Sequence, residues 1–183
     1  MEGSFTGGWY PDLSKCEPVS LDAGYVDCLF GAADFYAVAF DTNGKLGWRS
    51  NKIIDPDGDP GYDGAQIVEV LSENVDARYL GYLEMMEIPY IFAGKKTIDV
   101  ELALVKLKTL FGIDTLLLEG GSIINGAFQR AEAVDELSLV VAPITADKDD
   151  KPLFMEGNAS TFTLVSVQST DGAVIQKYKK DNK

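Results

Sequence analysis

Two adjacent glycines, Gly120 and Gly121, lie between an apolar segment at residues 115–118 and a helical pattern that starts at Ser122. Glycines at such a turn let a ligand approach the backbone without meeting a Cβ atom. The start of a helix presents unpaired N–H groups and a partial positive charge, which together favour an anion. We therefore predict that Gly120, Gly121 and Ser122 contact the phosphate groups of a cofactor. The alternative is a tight strand-to-helix turn that binds nothing.

Two residues beside this turn have open roles. Glu119 could contact the cofactor or substrate, but a carboxylate beside a phosphate is repulsive, so it could equally orient backbone N–H groups. Asn125 could reach the ligand from the first turn of the helix, or hydrogen-bond to the backbone. Ser122 is the predicted N-cap. One buried helix face is predicted from the helical spacing of Ile123, Ala127, Phe128 and Ala131.

Strand and helix patterns alternate along the part of the chain that must position these residues. Helices are predicted after Ser72 or Asn74 and from Thr97 or Asp99 to Gly112, the second with Lys106 and Lys108 facing water. A third helix follows the glycine pair. Because parallel strands need crossover helices, the alternation predicts a mainly parallel sheet with helices on both faces and ligands at the strands' carboxyl ends. The predicted strands are residues 35–40, 66–71, 89–93, 115–118 and 137–141.

The end of the chain has a different pattern. Two strand-like runs, residues 161–167 and 173–178, are joined through Asp171 and Gly172. An Asp-Gly pair between two such runs is a strong hairpin signal. We therefore predict an antiparallel hairpin at this end of the sheet.

Composition narrows the class of protein. The 183 residues are 46% hydrophobic, which suits one domain with a sizeable core. The net charge of −13 argues against nucleic-acid or anionic-membrane binding, because such surfaces accumulate Lys and Arg. No apolar run approaches the roughly 20 residues that span a bilayer, and there is no secretory signal, so we expect a cytoplasmic protein.

The inventory of reactive side chains is short. The chain has no histidine, which removes Ser-His and Cys-His mechanisms. With only Cys16 and Cys28 it lacks the usual set of zinc ligands, and we expect no metal. We interpret the two cysteines as incidental thiols, although a disulfide between them stays open. Chemistry here therefore has to come from a cofactor or from carboxylates, tyrosines and lysines.

Several segments of the chain together resemble one known family, the reductase domain of riboflavin biosynthesis. This domain is the C-terminal half of the bifunctional deaminase/reductase, and in it a Glu-Gly-Gly turn lies against the NADPH pyrophosphate. Looser similarity runs from about residue 7 to residue 178 and includes residues 41–48 and 90–95. The specific segments are residues 118–122 (LEGGS), 125–128 (NGAF), 134–139 (VDELSL) and 142–143 (AP).

The resemblance implies a dihydrofolate-reductase-like α/β fold in a single domain over residues 1–183. Such a fold has three layers, α/β/α, with a mostly parallel central sheet and, here, a C-terminal antiparallel hairpin. The family's first strand with its Ser-x-Asp-Gly-like turn, the next helix and a Gly-x-x-Thr-Met-like segment are not present in full. We expect either that another segment fills the place of this interior strand or that the chain is a shortened form.

The resemblance also assigns cofactor contacts to a second loop, residues 41–46. Residue chemistry alone supports only a turn there, through Asp41 and Gly44. Lys45 offers a cation for the 2′-phosphate that distinguishes NADPH from NADH. Ser72, just after the next strand, could contact the adenosine side or cap a helix.

The function implied by the resemblance is NADPH-dependent reduction of the ribosyl group of a ribosylaminopyrimidine 5′-phosphate to a ribityl chain. Family members are commonly homodimers, and the apolar C-terminal hairpin would suit such a contact. One alternative is a remnant of the fold that binds a nucleotide or a partner chain without turnover. Another is a reductase of a pterin or folate. The sequence identifies no catalytic residue.

Overall fold

The computed structural model describes residues 10–55, 61–170 and 172–181. The chain divides between Thr115 and Leu116 into two compact units. The expectation of a single domain over residues 1–183 stays a prediction. A short 3₁₀ helix, Leu13–Lys15, precedes the regular elements of the first unit.

The first unit contains a parallel sheet of three strands in the order β1-β2-β3. The strands are β1 (Tyr36–Phe40), β2 (Gln66–Leu71) and β3 (Tyr90–Phe92), and Tyr36 pairs with Gln66 while Glu69 pairs with Tyr90. Two helices, α1 (Ala77–Met85) and α2 (Val100–Phe111), follow β2 and β3 respectively. The strands predicted at residues 35–40, 66–71 and 89–93 are confirmed.

Helices cover both faces of this parallel sheet. On one face Ile67 and Leu71 pack in a core with Tyr79 of α1. On the other face Val68 and Val70 pack with side chains of α2. A strand hidden on both faces needs an almost continuous apolar sequence, and β2 reads Gln-Ile-Val-Glu-Val-Leu. Its single charged residue therefore lies in an apolar layer.

The helix ends in this unit confirm some predictions and correct others. Asp99 caps α2 at its start, and Gly112 ends it with φ 69°, as predicted. Neither Ser72 nor Asn74 caps α1. Asp76 does so by accepting a hydrogen bond from the Arg78 backbone N–H at 2.8 Å. The Ser72 hydroxyl instead donates to the Thr42 carbonyl.

The prediction that Lys106 faces water is wrong. Its Nζ lies 2.8 Å from the Asp27 carboxylate, and only 25% of the lysine side chain is exposed. Asp27 also accepts a hydrogen bond from the Phe92 backbone N–H at 2.8 Å. Cys28 pairs with Tyr90 as an isolated bridge. The segment at Asp27 and Cys28 therefore covers the free edge of β3, which is the reason that a helix lysine turns inward.

The second unit combines one helix with an antiparallel sheet in the order β4-β6-β5. Its elements are α3 (Ser122–Arg130), β4 (Glu136–Val141), β5 (Phe162–Thr170) and β6 (Ala173–Lys180). The predicted hairpin of β5 and β6 is confirmed, and Gly172 has φ 87° in its turn, while Asp171 lies outside the described residues. The strand at residues 137–141 exists, but it pairs antiparallel with β6, so its expected place in a parallel sheet is wrong.

Residues 115–118 form no strand, which corrects the sequence-based expectation. A strand is defined by its hydrogen-bonded neighbour, and within the described residues no segment pairs with this one. Leu117 is 74% exposed, as an unpaired apolar segment would be. The helix predicted after it is confirmed as α3. Of its expected buried face, Phe128 is buried and Ile123 is 71% exposed.

Two further expectations bear on the class of protein. Cys16 and Cys28 are both free thiols, as the sequence favoured. Over the parts of the chain that the structure describes, every helix is too short or too polar to cross a bilayer.

Candidate functional site

The loop after β1, residues 41–48, is built around the Asp41 carboxylate. Asp41 Oδ2 accepts hydrogen bonds from the backbone N–H groups of Lys45 at 2.5 Å and Leu46 at 2.7 Å. The Gly44 N–H donates to the Asp41 carbonyl at 3.2 Å, which closes the turn. Asp41 is only 8% exposed, so its side chain shapes this loop from beneath. Lys45, by contrast, points its exposed side chain outward.

Gly44 has to be glycine for two reasons. Its φ of 64° lies in the left-handed region that side chains disfavour. A Cβ atom there would also lie 2.5 Å from Tyr79 Cδ1 and 2.5 Å from Val75 Cγ2. The loop thus packs directly against Tyr79 in α1 and against Val75, just before α1. The predicted turn at Asp41 and Gly44 is confirmed, and cofactor contact by these two residues stays a prediction.

Ser72, at the end of β2, ties two loops together. Its hydroxyl donates to the Thr42 carbonyl at 2.7 Å and accepts from the Asn74 N–H at 3.2 Å. The Ser72 N–H also donates to Thr42, at 3.3 Å. Ser72 is fully buried. It therefore holds the loop of residues 41–48 against the end of the neighbouring strand, and its contact with adenosine remains a prediction.

The loop after β3 joins the same edge of the sheet. The Glu73 N–H donates to the Gly94 carbonyl at 2.9 Å. Gly94 has φ 120°, and a Cβ atom there would collide with the Thr97 carbonyl oxygen. The carboxyl ends of all three parallel strands are thus linked by hydrogen bonds at one edge, where ligands of open α/β sheets bind.

This edge carries exposed positive charge in a chain of net charge −13. Lys45 lies in the first loop, and Lys95 and Lys96 lie in the third, all three exposed. Within the described residues none of the three makes an ion pair. Unpaired lysines at the carboxyl ends of strands can attract a phosphate.

The second group of predicted site residues lies in the second unit, where α3 begins. Gly121 is the N-cap, and no side chain among the described residues makes a capping hydrogen bond, so the prediction that Ser122 caps the helix is wrong. Ser122 is instead the first helical residue. Over the described parts of the chain, a Cβ atom at Gly121 would meet nothing within 4 Å beyond its two neighbours in sequence, whereas one at Gly120 would lie 2.6 Å from Ile124 Cγ2. The start of α3 is therefore open and uncapped, which fits a phosphate group.

Asn125 is anchored beside this helix start. Its Nδ2 donates to the Leu153 carbonyl at 3.0 Å, while its buried Oδ1 has no hydrogen-bond partner in the part of the chain that the structure describes. The Met155 N–H donates to the Ser122 carbonyl at 2.9 Å, so residues 153–155 pack along the first turn of α3. Of the two roles open for Asn125, the backbone contact is confirmed. Glu119 lies exposed just before the glycine pair.

Sequence reasoning missed a buried polar cluster beneath the loop of residues 41–48. Glu69 of β2 is fully buried, and its Oε1 accepts a hydrogen bond from Trp48 Nε1 at 2.5 Å. The Tyr79 hydroxyl lies 3.2 Å from the same oxygen. Burial, and then the negative charge of Asp41, raise the pKa of Glu69 well above its ordinary value. The available signal was a lone glutamate inside an apolar strand.

Comparison with known proteins identifies a matching family and solved structures of similar fold. The family model described as the RibD C-terminal domain matches residues 63–176. A pyrimidine reductase-like protein from Corynebacterium diphtheriae is similar with a TM-score of 0.65 and 16% identity, over 81% of this chain and 62% of that chain. RibD from Acinetobacter baumannii, in two forms, gives TM-scores of 0.58 and 0.56 at 17% and 16% identity, over 79% of this chain and 37% of each RibD chain. No curated protein sequence matches the chain.

These likenesses show a shared fold, the dihydrofolate-reductase-like α/β fold that the sequence predicted. The chain spans 62% of the length of the Corynebacterium protein and 37% of the length of the two RibD chains. The described residues carry two three-stranded sheets, one parallel and one antiparallel, where the prediction had one mostly parallel sheet. Because the family model covers more than half of its residues, the chain belongs to the RibD C-terminal domain family.

Proposed function

We propose that this chain is an NADPH-dependent reductase of the riboflavin-pathway type, which reduces the ribosyl group of a ribosylaminopyrimidine 5′-phosphate to a ribityl chain. Membership of the RibD C-terminal domain family supports a reductase of this pathway. One of the similar solved proteins is described as pyrimidine reductase-like. The observation that carries the proposal is the open, uncapped start of α3 at Gly121.

The start of α3 suits a diphosphate for reasons of space and charge. With no side chain at the cap, the first backbone N–H groups of the helix remain available to phosphate oxygens. Apart from its neighbours in sequence, no described residue comes within 4 Å of a Cβ position at Gly121, which leaves room for such a group. Gly120 serves differently, because a Cβ atom there would push Ile124 aside. The two glycines thus have separate roles in the same turn.

The lysines of the first unit suit the phosphate that distinguishes NADPH from NADH. Lys45 is held outward by a loop whose backbone is fixed by Asp41. Lys95 and Lys96 lie in the loop after β3, which is linked to the end of β2 through Glu73 and Gly94. Three exposed cations in linked loops offer a 2′-phosphate its charge complement, so the proposal includes a preference for NADPH.

When bound, NADPH supplies the hydride for the reduction. The chain then has to hold cofactor and substrate in line and exclude water from them. Because the chain has no histidine, the accompanying proton comes from another acid or from water.

Substitutions at Gly121 test the proposal sharply. Gly121 has φ −54° and ψ 175°, a conformation open to any residue, and both asparagine and aspartate are good N-caps. We expect Gly121→Asn and Gly121→Asp to fold with stability within about 0.5 kcal/mol of the wild type. Aspartate adds a negative charge where the diphosphate is proposed to lie, whereas asparagine adds nearly the same shape without it. NADPH should therefore bind at least about tenfold more weakly to the Asp variant than to the Asn variant.

The measurement is NADPH fluorescence titration, together with thermal unfolding at NADPH or NADH concentrations up to about 1 mM. A wild-type chain that NADPH does not stabilise would refute the proposal, as would equal affinity in the Asp and Asn variants. Oxidation of NADPH in the presence of a ribosylaminopyrimidine 5′-phosphate tests turnover. Binding without oxidation would favour a nucleotide-binding protein, and oxidation only with a pterin or folate would change the substrate.

The proposal also includes a homodimer formed through the C-terminal hairpin. Leu164, Val165 and Val167 of β5 are each at least half exposed. Apolar side chains clustered on one strand are typical of a surface that another chain covers. Light scattering after size-exclusion chromatography measures the mass directly, and a monomer at every concentration would remove this part of the proposal.

A further inference from the structure

The cluster around Glu69 links the centre of the parallel sheet to the loop of residues 41–48. Glu69 Oε1 receives the Trp48 indole N–H at 2.5 Å, and Trp48 belongs to that loop. The Tyr79 hydroxyl from α1 lies 2.8 Å from the Leu46 carbonyl, which is also in the loop. Glu69 therefore reaches the loop at two points, directly through Trp48 and indirectly through Tyr79.

A count of protons around Tyr79 favours a neutral Glu69. The single hydroxyl proton faces three acceptors, namely the Leu46 carbonyl at 2.8 Å, Glu69 Oε1 at 3.2 Å and Asp41 Oδ2 at 3.4 Å. The shortest contact takes the proton, so the hydroxyl donates to Leu46. The Tyr79 oxygen can then bond to Glu69 only by accepting, which requires a proton on the Glu69 carboxyl.

Burial and the negative charge of Asp41 outweigh the hydrogen bonding with Trp48 and Tyr79 that would stabilise a charge on Glu69. Its Oε2 is buried and has no hydrogen-bond partner among the described residues. The groups that face it are Asp41 from the loop, Tyr79 and Tyr82 from α1, and Tyr90, its pairing partner on β3. Within the described residues no lysine or arginine pairs with it. A buried carboxylate without a cation or enough donors is costly, and burial raises its pKa.

We propose that Glu69 is a positioning residue: as a neutral acid it fixes the loop of residues 41–48 through Trp48 and Tyr79, and its ionisation loosens that loop. The consequence for NADPH affinity rests on the function proposed above, whereas the consequence for the loop does not. Glu69 is fully buried, so it is not proposed to touch the cofactor. It acts through a loop whose Lys45 is proposed to do so.

The test follows Trp48 and the loop backbone as pH rises. The chain has two tryptophans, so a Trp9→Phe background leaves Trp48 as the reporter. The readouts are the Trp48 indole N–H signal in NMR, and the hydrogen-exchange protection factors of the Lys45 and Leu46 amides. We expect both to change together at a midpoint well above the ordinary carboxyl range of about 4.3. In Glu69→Gln, which cannot ionise, both should stay flat.

A second variant separates the two links. Tyr79→Phe keeps the Trp48 contact but removes the hydroxyl. We expect the indole still to titrate in this variant, while the Lys45 and Leu46 amides are poorly protected at every pH. If Glu69→Gln fails to fold, this variant and the wild-type titration still decide the matter. A wild-type indole signal that is flat from about pH 5 to about pH 10, or that titrates equally in Glu69→Gln, would overturn the proposal.

The NADPH measurement distinguishes this inference from the proposed function. In the wild type the NADPH Kd should rise by up to about tenfold per pH unit above the midpoint, and in Glu69→Gln it should not follow that slope. If the Trp48 and loop-amide signals change with pH but NADPH never binds, the proposed reductase function is refuted and the role of Glu69 in the loop stands. If NADPH binds while the loop does not titrate, only the present inference fails.

Discussion

In the parallel sheet of the first unit, the last five residues of β2 and all three of β3 are buried. In the antiparallel sheet of the second unit, no residue of β4, β5 or β6 is buried. Across the described parts of the chain, Phe128 is the one buried hydrophobic residue outside the first unit. The contrast shows that apolar strands alone do not make a core, because each face of a sheet needs another element to cover it.

The two candidate binding elements differ in the same way. The loop of residues 41–48 is fixed from beneath by Asp41, Ser72 and Tyr79, all of them buried. The turn at Gly121 has no side-chain cap from the described residues, and the space around it is open. The first element is thus shaped by side chains packed under it, and the second by backbone groups left free. Substitutions in the loop of residues 41–48 should therefore change the stability of the fold. Substitutions at Gly121 should instead change the affinity for the ligand.

The largest expected difference is in how much each sheet contributes to the free energy of unfolding. Leu71→Ala would empty a fully buried position at the end of β2, which costs about 2–5 kcal/mol of unfolding free energy. Leu164→Ala, a matched change at a half-exposed position of β5, should cost less than about 1 kcal/mol. Urea unfolding of both variants measures this. Equal losses would mean that the second sheet contributes as much to stability as the first.

Sequence reasoning succeeded where local pattern and burial agree. Residues 66–71 and the helix from Asp99 to Gly112 were predictable, because a strand or helix covered by its own neighbours keeps a regular apolar pattern. Residues 115–118 have the composition of a strand but no partner to pair with. The pairing direction of β4 was also beyond prediction, since direction is decided by which strand lies beside it.

The turns of the candidate site could be predicted from the sequence, but the buried side chains beneath them could not. The glycine pair and the turn at Asp41 and Gly44 follow from residues that are adjacent in sequence. The contacts of Glu69 with Trp48 and Tyr79 join residues 21 and 10 positions apart. Only the fold brings such residues together. A charged residue in an apolar strand was the one visible sign of them.

A smaller contrast separates the two candidate glycines. Gly44→Ala would place a side chain at φ 64° and drive its Cβ into Tyr79 and Val75, so we expect a loss of about 1–3 kcal/mol. Gly121→Ala adds a Cβ that meets nothing, at φ −54°, and should stay within about 0.5 kcal/mol of the wild type. Thermal unfolding without ligand measures both. A stable Gly44→Ala would show that the loop moves away from α1 at little cost.

The smallest expected effect is the pH dependence that Glu69 gives to the free energy of unfolding. Because its pKa is raised in the folded chain, the folded state holds this proton to higher pH than the unfolded state does. The stability that this provides is complete below the ordinary carboxyl range of about 4.3, and is lost as pH rises towards the folded pKa. Within that window the slope is at most about 1.4 kcal/mol per pH unit.

Glu69→Gln removes this titration, so its unfolding free energy should gain on that of the wild type as pH rises through the window. Glu136→Gln is the matched change at an exposed position of β4, and its curve should run parallel to that of the wild type. Urea unfolding at successive pH values measures all three. If the Glu69→Gln curve also runs parallel to the wild type, the buried carboxyl has no unusual hold on its proton. The charge of Glu69 would then have to be stabilised by hydrogen bonds from Trp48 and Tyr79 alone. In that case the Tyr79 hydroxyl would donate to Glu69 and not to the Leu46 carbonyl.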